Sequence, residues 1–265
     1  MHLVRKKCLV THLVVMASAS AAAYHKVVNA AHRGELARVC NDLGLVGNAA
    51  ELGVDRGDFA RRNLNTWNGR RYYMIDAWGH RANDTNARGQ VSKDRNAESE
   101  DDWDNIYRAA QHNVAPWLKT GRAILLRRFA EAAAAEFADG FFDWIYVDAG
   151  HTYEHVSRDV RTWWPKLRRG GMLSGDDFAD SLDTFPTVGY HKGHHWGVKS
   201  AVANFSREVG APFFLTFADR SHTSNEFAKT PPWVDDKQKA AEKAWVASGR
   251  VRGHRFYPAW YMLKP

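Results

Sequence analysis

Cysteine is nearly absent from this chain of 265 residues: Cys8 and Cys40 are the only two, with no CxxC pair and no zinc-type spacing. A disulfide framework is thereby excluded, and a reducing compartment is compatible. Proline is sparse, at 8, and no collagen-like, low-complexity or heptad pattern occurs. No apolar run is long enough to cross a bilayer, so no transmembrane helix is expected. Acids are missing altogether from residues 1–34, which hold Arg5, Lys6, Lys7, Lys26 and Arg33.

That last absence explains most of the net charge. A formal +7 invites a nucleic-acid or anionic-membrane reading. Removing the five basic residues of the arm leaves 32 against 30 acids over residues 35–265, a net +2. The body is close to neutral, and nucleic acid is not expected as a partner. Residues 1–34 therefore read as a basic, Ala-rich extension, and residues 35–265 as a single domain. Within the arm, LVRKK (3–7) precedes an apolar stretch, Cys8–Ala23, ending in ASASAAA. A basic start, an apolar segment and small residues are the pattern of a signal or transit peptide. The alternative is a plain helical extension, with the cytoplasm expected unless residues 1–23 are such a peptide. Oligomeric state leaves no trace in the sequence.

What is present is an alternation of strands and helices. Ala49–Val54 is a short apolar run ending at Gly53, followed by Gly57. Asp58–Trp67 reads as a helix and Arg71–Ala77 as a strand ending on an acid, Asp76. His80–Asp101 is long and polar, a candidate lid. Ser99 with Asp102 makes a capping-box start for one helix carrying Trp103, Ile106, Tyr107, Ala110, Val114, Trp117 and Leu118 at helical spacing. Arg122–Arg127 is a strand candidate, and Ala130–Ala138 a helix. Phe141–Val147 is the strongest strand and closes on Asp148. Thr152 can cap the next helix, which Pro165 and Gly170-Gly171 are expected to end. Val198–Val209 reads as a helix; Pro212–Phe217 and Trp260–Leu263 read as strands. This pattern predicts an α/β, Rossmann-like, doubly wound and mostly parallel sheet with helices on both faces.

In such sheets ligands bind beyond the carboxyl ends of the strands. Gly53–Gly57, Asp76, Asp148–His151 and Asp176-Asp177 all occupy such ends. Gly53 and Gly57 permit close backbone approach by a ligand or serve a turn. Glu51, inside the first strand, suits an amine-bearing or cationic ligand better than a pyrophosphate, and no GxGxxG is present, which disfavours a dehydrogenase. Asp76 is placed to hold ribose hydroxyls. Asp148, Asp176 and Asp177, with no fixed cation expected nearby, would repel one another. A divalent ion such as Mg2+ relieves that repulsion; the other reading is of solvated or capping acids. His151 is a candidate general base or a helix cap. His191, His194 and His195 look more like a loop than a zinc tract.

These motifs match a known family. FFDWIYVDAGHTYEHVSRDVRTWWPKLRRGGMLSGDDF (141–178) resembles the class I S-adenosylmethionine-dependent methyltransferases of methyltransferase family 24. AAELGVDRGDFARRNL (49–64) is similar to that family's cofactor loop, YYMIDAW (72–78) to its second strand, and GVKSAVANF (197–205) to the helix after strand five. The resemblance implies that Glu51, Gly53 and Gly57 line the methionine and ribose part of S-adenosyl-L-methionine, and that Asp76 holds the ribose. It implies that Trp78 or the Phe129-Ala130 turn borders the adenine, with Asp148 beside the cofactor. The family often has Ser at the place of Ala130. Asp148 with Asp176-Asp177 is similar to the magnesium triad of catechol-type and sugar O-methyltransferases. The implied reaction is methyl transfer to a small-molecule acceptor, a hydroxyl above all, with a metal or His151 dealing with the proton. The competing readings are a non-catalytic cofactor-binding module and, less favoured, a nucleic-acid methyltransferase.

Overall fold

The computed structural model describes residues 30–79, 99–180, 196–216 and 257–265. The basic segment 1–29, the candidate lid from His80, the His191–His195 tract and residues 217–256 lie outside the described residues. Among the described residues no helix is long and apolar enough to cross a membrane.

After a 3-10 turn, Arg33–Glu35, the elements in chain order are α1 (Leu36–Asp42), β1 (Asn48–Leu52), α2 (Asp58–Thr66), β2 (Arg71–Asp76), α3 (Glu100–Asn113) and α4 (Ala115–Lys119). They continue with β3 (Ala123–Arg127), α5 (Ala130–Ala134), β4 (Phe142–Val147), α6 (Tyr153–Trp163), β5 (Leu167–Gly175), α7 (Val198–Val209), β6 (Phe213–Leu215) and β7 (Trp260–Leu263). The seven strands form one sheet in the order β3-β2-β1-β4-β5-β7-β6. β1 to β5 are parallel; β7 runs antiparallel to both β5 and β6. The order reverses between β1 and β4, and a crevice opens there at the strands' carboxyl ends.

Strand alternation sorts the side chains into two cores. Ala49, Tyr72, Met74, Trp144, Tyr146 and Tyr261 face the layer of α1, α2 and α3. Ala50, Leu52, Ile75, Ile145, Trp260 and Met262 face that of α5, α6 and α7. Trp67, Tyr72 and Trp144 meet edge to face in the first core, with ring centroids 5.9–6.0 Å apart, an arrangement that the ring quadrupoles favour.

Local signals account for most element ends. Ser99 and Asp102 form the expected reciprocal capping box at α3, and the Thr152 hydroxyl accepts the N–H of His155 at α6. Three expectations need correction. The single helix over Trp103–Leu118 is two, broken at Val114, because Pro116 belongs in the first turn of a new helix. The helix expected over Ala130–Ala138 stops at Ala134. Gly170-Gly171 do not end a helix: they lie within β5, where the register jumps from Leu167 opposite Phe142 to Met172 opposite Trp144.

Candidate active site

A cavity of about 510 Å³ occupies the crevice. Its floor exists because β1 and β4 can pass close to each other as they leave the sheet. Gly53 has φ +83°, and a Cβ there would overlap the Asp148 carbonyl oxygen. The position therefore demands glycine twice, for its backbone angle and for the contact. Beyond it, the turn is tied to β2: the N–H groups of Val54 and Asp55 donate to Asp76 Oδ2 at 2.8 and 3.0 Å, and the N–H of Trp78 to Oδ1 at 2.8 Å. Asp76 thus pins the loop and still turns toward the cavity that it lines.

Glu51 is 1% exposed in the middle of β1. Tyr72 donates its hydroxyl to Glu51 Oε2 at 2.6 Å and accepts from the Asn63 amide at 2.8 Å. Burial disfavours the charged carboxylate and lifts its pKa to about 8; the Tyr72 hydrogen bond works the other way.

The opposite wall is a charged cluster. His151 Nε2 lies 3.2 Å from Asp177 Oδ2 and 3.4 Å from Asp148 Oδ1. The His151 ring stacks on Trp196, with centroids 5.0 Å apart, and Trp196 leans on Tyr257. Asp148, His151 and Asp177 each offer a ligand atom within 4.8 Å of the others. Two carboxylates with one imidazole form a donor set that a hard or borderline divalent ion accepts. Asp176 is buried and turned away from this group, onto the guanidinium of Arg33. Arg33 also reaches Asp148 Oδ2 at 3.4 Å and lies over the Phe59 ring. Burial pushes the Asp148 carboxyl up; hydrogen bonding to His151 and the Arg33 charge pull it back.

Residues 50–178 match the family model described as a methyltransferase domain. This segment is similar to the methyltransferase domains of that family. No curated protein matches the chain in sequence. Among solved structures the chain is similar to an O-methyltransferase family protein from Burkholderia thailandensis, at 8% identity and TM-score 0.51, over 87% of this chain and 55% of that one. It is also similar to the O-methyltransferase from Bacillus cereus in complex with SAH, at 11% identity and TM-score 0.47, over 88% of this chain and 80% of that one. The methyltransferase domain has the class I, Rossmann-like fold expected from the sequence.

The domain gathers Glu51, Gly53, Asp76, Ala130, Asp148, His151, Asp176 and Asp177 around one cavity. Two residues singled out with them lie elsewhere. Trp78 is wholly buried, donates its indole N–H to the Asp55 carbonyl and packs on Tyr107; its neighbours Ala77 and Gly79 line the cavity instead. Gly57 is the left-handed cap of α2, facing Met74 and Ala110. The expectation of no fixed cation near the three acids is corrected by Arg33, which was counted with the extension. The segment from Ala30 onward packs against the core, with Ala30 and Leu36 wholly buried. Charge counting alone gave Arg33 no distance from the acids; its place on a turn just before an apolar helix, Leu36–Cys40, was the only available hint.

Proposed function

We propose that this methyltransferase uses S-adenosyl-L-methionine to methylate a hydroxyl of a small molecule, with His151 taking the acceptor's proton. The observation that carries the reading is His151 Nε2 within 3.4 Å of two carboxylates, Asp177 and Asp148, on the wall of the crevice. Those carboxylates hold the ring in one orientation and stabilise the imidazolium once it forms. The acceptor oxygen attacks the sulfonium methyl in line, its C–O bond forms as the C–S bond breaks, and the neutral thioether leaves. Holding the two partners in line supplies much of the acceleration.

On this reading Asp76 and the turn after Gly53 hold the cofactor's ribose, Glu51 and Asp148 face its cationic methionine end, and the Phe129-Ala130 turn borders the adenine. The family match over these residues and their convergence on one cavity support it. A cavity of about 510 Å³ suits a cofactor and a small acceptor group rather than a nucleic-acid duplex. A second reading rests on the donor set. Asp148 and Asp177, with His151 as third donor, would hold a divalent ion such as Mg2+. Such an ion supplies Lewis acidity to the acceptor oxygen.

Calorimetry with S-adenosyl-L-methionine, with and without Mg2+, tests both. Micromolar binding is expected; no binding in either condition overturns the proposal. A panel of hydroxylated small molecules, followed by release of the demethylated cofactor, then separates an enzyme from a binding module.

A further inference from the structure

Arg33 lies outside the matched segment 50–178, yet it is held on the cavity wall by a built turn. The His32 ring accepts the Gly34 N–H at 3.1 Å, the Glu35 carboxylate accepts the Ala31 N–H at 2.8 Å, and Ala30 and Leu36 are wholly buried on either side. From that anchor one guanidinium nitrogen donates to both Asp176 Oδ2 and Asp148 Oδ2, while the group covers the Phe59 ring at 5.2 Å. The second oxygen of Asp176, Oδ1, is buried and has no hydrogen-bond partner among the described residues. Asp148 is therefore shared. Its Oδ2 faces Arg33, and its Oδ1 faces His151 in the donor set that fits a divalent ion.

We propose that Arg33 is the resident cation of this acidic cluster, a positioning residue that competes with divalent metal for Asp148. A metal on Asp148 Oδ1 meets the guanidinium charge across the same carboxylate, so by linkage the Arg33 contact and the turn at Arg33–Glu35 must loosen as the metal binds. The strength of metal binding is then set by a segment outside the methyltransferase motifs. The inference rests on the divalent-ion reading of the site above, and its readout is metal binding rather than turnover.

The test is Mn2+ titration of the full chain, read by the loss of the free-ion electron-spin signal, on wild type and three variants. Arg33→Gln is expected to bind Mn2+ about tenfold tighter, the size of one lost charge-assisted hydrogen-bonded pair. Phe59→Leu, which loosens the guanidinium without touching a carboxylate, should shift affinity the same way by less. Arg158→Gln removes an equal charge from the cavity wall beside Asp159; an effect within about twofold there separates displacement from the general field. Unchanged or weaker Mn2+ binding in Arg33→Gln overturns the proposal, as does an absence of Mn2+ binding in both wild type and variant. Near-UV circular dichroism checks that Arg33→Gln is folded; if it is not, Phe59→Leu decides. Failure of S-adenosyl-L-methionine to bind the wild type would sink the functional reading while leaving the Mn2+ comparison intact.

Discussion

His151 and Asp177 face each other across the gap between β4 and β5, with Nε2 3.2 Å from Oδ2. Asp177 holds a positive φ of 55°, a conformation uncommon for a residue with a side chain, and that turn aims its carboxylate at the imidazole. If His151 takes the acceptor's proton, His151→Gln should lower kcat by about 100- to 10,000-fold. S-adenosyl-L-methionine affinity should stay within about threefold. A comparable loss in affinity instead would mark His151 as a cofactor contact. Trp196→Ala frees one face of the ring and should lower kcat by less, with Trp196→Phe restoring most of it.

Glu51 gives the protein a pH dependence whose sign follows from its burial. Its carboxyl is raised from 4.5 to about 8 in the folded protein. The native state therefore keeps a proton that the unfolded chain has released, and stability falls as pH rises between those values. The slope is at most about 1.4 kcal/mol per pH unit. Glu51→Gln stays neutral and can still accept from Tyr72, so it should flatten the fall. Urea unfolding of the apo-protein at pH 5, 6, 7 and 8 checks this; parallel curves for both proteins would show that Glu51 is ionised in the fold.

Gly53→Ala should be among the costliest small substitutions in the domain. The left-handed backbone costs about 1–2 kcal/mol by itself, and the overlap with the Asp148 carbonyl forces β1 and β4 apart. A loss of at least about 3 kcal/mol in denaturant unfolding is expected, with cofactor binding abolished. Gly210, also at positive φ but with nothing near its missing Cβ, is the control and should cost about 1 kcal/mol as alanine.

Asp76→Ala leaves three backbone N–H groups, those of Val54, Asp55 and Trp78, without their acceptor. The turn that walls the cavity should loosen, and S-adenosyl-L-methionine affinity should fall at least about tenfold by calorimetry. Asp76→Asn keeps one acceptor oxygen and should fall less. Equal affinity in all three proteins would place the ribose elsewhere.

Periodicity and punctuation carried the fold. The strand ends at Gly53, Asp76 and Asp148, the cap at Thr152 and the capping box at Ser99 are all local signals, and each lies where the sequence puts it. What lay beyond reach was contact between distant segments. Trp78 follows an acid at a strand end and so looks exposed to ligand; only the packing of α3 against the loop, through Tyr107, buries it. Arg33 and Asp176 are 143 residues apart, and no pattern in either neighbourhood announces the other. Gly170-Gly171 fit a helix stop equally well as a strand irregularity, since glycine permits both.

The position of β7 has a consequence for the order of assembly. β6 is synthesised before β7, yet β7 is its neighbour in the sheet and lies between it and β5. On the ribosome, Phe213–Leu215 therefore has no partner strand among the described residues until Trp260–Leu263 has emerged, and α7 is its contact meanwhile. An unpaired strand edge waiting on a late, non-local partner is the kind of intermediate that associates wrongly. Protease sensitivity near β6 should thus persist in nascent chains until the last strand has slotted in, long after the crevice between β1 and β4 has closed.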